Sequence, residues 1–118
     1  PVKANPVGND TVVQALLDAG VDIPEPPKEI SEGTVKNIPL TQAEQREYRK
    51  TAGDGISREV AAVLNHPAWA SASAADRADE IKAIVEDARQ AARDAVLERI
   101  GPDEAKRRVA ATVATPAR

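Results

Sequence analysis

Cysteine, methionine and phenylalanine are absent from this chain of 118 residues, and it has one Trp, one Tyr and one His. Without Cys there is no disulfide framework, no thiolate nucleophile and no Cys-ligated zinc or iron–sulfur site. His66 alone builds neither a two-His metal site nor a separated imidazole acid and base. Neither sign of charge dominates: 16 basic and 19 acidic residues give a net charge of −3. That balance weakens a whole-domain case for nucleic-acid binding. No apolar run approaches the ~20 residues a bilayer span needs, and no signal-peptide pattern opens the chain. Gly53-Asp54-Gly55 lacks the Lys and the spacing of a phosphate-binding loop, and there is no G-x-S-x-G. The expectation is a soluble protein that tolerates a reducing compartment, with no catalytic residue, cofactor or metal assigned.

What is present is mostly small. Apolar residues make up 42% of the chain, but 23 of them are Ala, beside 12 Val, 7 Ile and 5 Leu. Ordering a residue costs ~1–2 kcal/mol of backbone entropy, and Ala burial returns little area. Close helix packing, a partner surface, or both are therefore expected. The chain begins Pro1-Val2-Lys3, which fits a start left by Met excision and also an internal piece of a longer polypeptide. The lean core favours the second.

Residues 10–19 predict a short helix. Asn9 or Asp10 caps it, Val12, Val13, Leu16 and Leu17 form its stripe, and Gly20 stops it. Residues 21–40 carry Pro24, Pro26, Pro27, Pro39 and Gly33, which predict an extended, acidic, polyproline-like arm. Its spaced apolar residues (Val21, Ile23, Ile30, Val35, Ile38, Leu40) predict docking on the chain's own helices or on another subunit. Thr41 with Glu44 is a capping box. It opens a helix to about Ala52 that Gly53 ends, and a second helix follows over 56–65. Residues 68–75 predict a small-residue connector, and Ser73 with Asp76 caps one long helix over 74–100. The apolar face of that helix is traced by Ile81, Ile84, Val85, Ala88, Ala92, Ala95, Val96 and Ile100. Gly101-Pro102 ends it, and 103–114 predicts a last helix before a frayed tail.

Each candidate site has a plain reading beside the functional one. His66 reads as a helix-terminal His near backbone carbonyls. The carboxylates of the long helix alternate with Arg and Lys, as on a solvated, ion-paired face. Lys106, Arg107 and Arg108 are the best nucleic-acid signal, without an aromatic to stack bases. Trp69 either plugs a helix junction or anchors a partner.

Several pieces occur in a set order: Asn5-Pro6-Val7, Ala15-Leu16-Leu17, Gly20-Val21 and the Pro-containing arm. Then come Ile38-Pro39-Leu40-Thr41 with Glu44, Tyr48 and Ala52-Gly53, next His66-Pro67-Ala68-Trp69, and last the Ala-Arg helix. Over about residues 5–100 this order resembles a helical module near the C-terminus of large virion proteins of tailed bacteriophages, including internal, ejection and tail-associated proteins. Trp69 stands where that module has Tyr, and residues 101–118 have no counterpart. The resemblance implies a non-enzymatic structural role in the virion, after synthesis in the bacterial cytoplasm. Its implied partners are other virion proteins and copies of itself.

The combined expectation is an all-α fold of four or five helices with an extended Pro-rich arm. Its parts are residues 1–40 (short helix and arm), 41–100 (helical domain) and 101–118 (short helix and basic tail). The expected partner surface is Val21, Ile23, Ile30, Val35, Ile38, Trp69, Ile81 and Ile84, and no membrane span is expected. Alternatives are a helical nucleic-acid-associated protein using Lys106, Arg107 and Arg108, or a soluble regulator that binds one host protein.

Overall fold

Residues 9–21 and 27–114 are described by a computed structural model. In chain order they form α1 (Asn9–Asp18), α2 (Lys28–Ser31), β1 (Thr34–Val35), β2 (Ile38–Pro39), α3 (Gln42–Leu64), α4 (Pro67–Ser71), α5 (Ala74–Ile100) and α6 (Pro102–Ala114). The all-α class is therefore observed, with six helices and one small antiparallel sheet among the described residues.

Two long helices set the architecture. The capping box opens α3 as expected: Thr41 Oγ1 accepts from Glu44 N at 3.1 Å, and Thr41 N donates to Glu44 Oε1 at 2.8 Å. The helix does not end at Gly53. It continues through Gly53, Asp54 and Gly55 to Leu64, which corrects the expected break. The reason is packing. Tyr48, Ala52, Ile56 and Val60 recur every four residues, so one buried stripe crosses the glycine pair without a change of phase. Gly55 also faces α5: a Cβ built on it would lie 3.5 Å from the Ala88 Cβ. Helix α5 holds its expected span, with Ser73 Oγ accepting from Asp76 N at 3.0 Å, and at 27 residues it is ~40 Å long.

α3 and α5 lie antiparallel and share two cores. At one end Tyr48 and Ala52 meet Ala92 and Val96. At the other Val60 meets Ile81 and Val85, and α1 adds Val12, Leu16 and Ala19. Ala95, expected on the buried face, is exposed, while Leu97 packs on the first core. The molecule is a rod, 64 × 26 × 19 Å.

Most of the expected arm is ordered structure. The Pro-rich stretch 22–26, with Ile23, lies outside the described residues, as does the first piece of the resemblance, at residues 5–7. From Pro27 onward the chain forms α2 and then a hairpin pairing Thr34 with Pro39 and Val35 with Ile38. Its two-residue turn places Lys36 at φ 51° and Asn37 at φ 68°, the pair of positive angles a type I′ turn needs. Ile30 and Val35 are fully buried against Tyr48, Ala92 and Val96. Each such burial stabilises by roughly 1.5–3 kcal/mol. The arm thus docks on the chain's own helices.

Candidate functional site

The described residues hold no cluster of three or more metal-binding side chains, and no helix among them is long and apolar enough to cross a membrane. The surface features that remain are two Arg-centred clamps at the hairpin end and an apolar region at the α1 end.

At the hairpin end, Arg108 grips three elements. Its guanidinium donates to Glu44 Oε1 and Oε2 at 2.7 and 3.1 Å, to Glu104 Oε2 at 2.9 Å and to the Pro39 carbonyl at 3.1 Å. The fork geometry of Arg suits this bidentate contact. These bonds, Arg108's first of all, hold the Glu44 and Glu104 carboxyls below the ordinary carboxylate range. Glu44 thereby serves both the α3 cap and the α6 anchor. Arg93, 11% exposed, ties α5 to α2 through Glu29 at 3.2 Å. Tyr48, 1% exposed, is buried beside these groups with its hydroxyl outside good hydrogen-bond geometry, and burial pushes its pKa up against the opposing pull of Arg93 and Arg89.

The structure divides the basic triplet. Of the basic triplet, Arg108 is committed to carboxylates and a carbonyl, Arg107 is ion-paired with Glu104, and Lys106 is exposed. The three do not present one cationic face to a phosphate backbone.

The α1 end is different. α1 closes with a Schellman turn: Val21 N donates to Leu16 O at 3.0 Å and Gly20 N to Leu17 O at 2.9 Å, with Gly20 at φ 80°. The helix buries Val12, Leu16 and Ala19 and leaves Val13 and Leu17 outside, at 40% and 53% exposure. Four residues apart, these two form an unpartnered apolar strip. Beside Val13 a groove of about 360 Å3 runs between α1 and α3, lined by Val21, Gly53 and Ile56. On the other flank of α1, a groove of about 450 Å3 is floored by Ala15, Leu64, Trp69 and Ile81 and lipped by Asp18.

Trp69 is fixed there from two directions. His66 follows the Asn65 cap at the end of α3, its N donating to Val63 O at 3.1 Å, and caps α4, its Nδ1 accepting from Ala68 N at 3.1 Å. Pro67 drives His66 into its extended conformation, φ −78° and ψ 135°. Arg77 lies over the Trp69 ring at 5.2 Å and donates to the Trp69 and Ala70 carbonyls at 2.9 and 3.1 Å. The indole is half-buried and lines grooves on both its sides.

The expected partner residues therefore separate. Ile30, Val35 and Ile81 are buried in the chain's own cores, and that burial removes them from any surface a partner meets. Val21, Ile38, Ile84 and Trp69 are half-buried, and Ile23 lies outside the described residues. Val13 and Leu17 were missed. Both fit the apolar stripe of α1, and only the width of the face α1 buries shows that they lie beyond it.

Comparison of the chain with family models, with curated proteins and with solved structures gave no match.

Proposed function

We propose that the chain is a non-enzymatic structural or assembly component of a tailed-phage particle, acting by protein–protein packing at its α1 end. One observation carries the packing reading: Val13 and Leu17 stand exposed as an apolar strip on α1, Val13 lining the groove between α1 and α3, while a pinned Trp69 walls the groove on the opposite flank. Large apolar side chains in such a group mark contact surfaces, and a preorganised Trp suits a contact hot spot. The placement in a virion rests on the resemblance of residues 5–100 described above.

The test is peptide mass spectrometry of gel bands from particles purified from the source of this sequence. Peptides from residues 41–100 are expected in a virion band, near 12.5 kDa for a free-standing protein or far above it for a piece of a larger one. Their absence from particles overturns the virion reading and favours a soluble regulator. The nucleic-acid reading requires salt-sensitive DNA retention that Lys106→Ala/Arg107→Ala abolishes.

A further inference from the structure

We infer that copies of this chain associate head to tail, the acidic groove end of one rod receiving the outer face of α6 of the next. This rests on the packing function proposed above and names its partner as a second copy.

The two ends of the rod differ in charge. Around the Trp69 grooves stand Asp18 on α1 and Asp76 and Glu80 on the first turns of α5, all exposed. Of the cations nearby, Arg77 is engaged by the Trp69 ring and two carbonyls, which leaves Lys82 as the exposed one on that stretch of α5. The opposite end exposes Lys106 and Arg107 on α6, the latter at 74% and paired with Glu104, beside exposed Asp103, with Lys36 at the hairpin tip and Arg46 on α3. The next turn of α6 places small, exposed Ala110 beside this basic pair. An apolar groove with an acidic lip therefore faces, on another copy, a helix with basic and small residues.

Geometry makes the contact intermolecular. From Ala78 on the groove wall to the start of α6, α5 alone runs ~35 Å, so a rod cannot bring its own α6 into its groove. A two-fold contact through the groove would set Asp18, Asp76 and Glu80 of one copy against the same acids of the other, which costs like-charge repulsion. The favoured contact is heterologous, and it propagates as a ring or an open chain.

Charge reversal at one end at a time tests this. Asp18→Lys/Glu80→Lys changes the groove, and Lys106→Glu/Arg107→Glu changes α6 without touching Arg108. Circular dichroism checks that both variants keep the parent helicity. By sedimentation velocity at low salt, the parent is expected to grow beyond 12.5 kDa with concentration, and each variant to stay at that mass. In an equimolar mixture the intact groove of one variant receives the intact α6 of the other, and the reversed groove faces the reversed α6 with complementary charge, so the mixture should regain growth beyond 12.5 kDa. A parent that stays monomeric at every concentration, variants that still polymerise, or a mixture that stays monomeric overturns the inference. A monomeric parent found in particles leaves the packing reading standing with a different partner, whereas absence from particles removes the virion reading whatever the self-association.

Discussion

Arg108 and Tyr48 show how single side chains set the behaviour of the hairpin end. Replacing Arg108 with Ala removes its bonds to Glu44, Glu104 and the Pro39 carbonyl. At this half-exposed site the expected loss is about 1–2 kcal/mol, and hydrogen exchange should rise in α6 before α3 or α5. Because Arg108 depresses the folded-state pKa of Glu44 and Glu104, its stabilisation is complete above the ordinary carboxylate range. It is lost as pH falls through the lowered values. An acid titration of exchange protection should therefore release α6 first, and Arg108→Ala should flatten that response. A parent and variant with identical acid profiles would contradict the clamp. Tyr48 works the other way. Its ring fills the core while its buried hydroxyl has only the nearby Arg93 guanidinium to meet, outside good hydrogen-bond geometry, so Tyr48→Phe should change stability by no more than about 1 kcal/mol in urea titrations. A loss above that would mean that the hydroxyl has a partner.

At the scale of elements, the continuous α3 is the main departure from what local residues suggest. Gly53 and Gly55 each weaken a helix interior by roughly 0.5–1 kcal/mol relative to Ala. The packed stripe Tyr48–Ala52–Ile56–Val60 outweighs them. A Cβ at position 53 meets nothing within 4 Å, so Gly53→Ala should raise stability by about that amount and Tm by a few degrees. Destabilisation would place a helix break there after all. Ile81→Asp should unfold the rod, because it puts a charge where Ile81 is 1% exposed between α3 and α1. The spans of α1 and α5 and the caps at Thr41 and Ser73 were legible because each has a local cause, a stripe or a hydrogen-bonding side chain. The bridge across Gly53 was legible only as a phase relation between residues on both sides of it. The hairpin had a signal in Val35-Lys36-Asn37-Ile38, which the neighbouring prolines and Gly33 mask. The clamp was beyond reach, because Glu44 and Arg108 are 64 positions apart and only the packing of α6 on the hairpin joins them.

At the scale of the whole molecule, the lean composition has a structural counterpart. Two modest cores strung along a 64 Å rod leave α1 only partly covered, with Val13 and Leu17 outside. Trp69 and Arg77 were legible as residue types, while their stack joins α4 to α5 and the groove beside it forms only where α1 packs on α3 and α5. An acidic α1 end and a basic α6 face make association salt-sensitive: self-association should weaken steeply between low and physiological ionic strength. Insensitivity to salt would leave the apolar strip as the sole attraction. The most direct measurement of packing through the α1 end is zero-length carboxyl-to-amine cross-linking of intact particles, read by peptide mass spectrometry. Intermolecular links are expected from Asp18, Asp76 and Glu80 to lysines of a neighbouring chain, Lys106 of a second copy foremost. Particles that contain the protein but link it to neighbours only through α2, the hairpin or α3 would contradict packing through the α1 end.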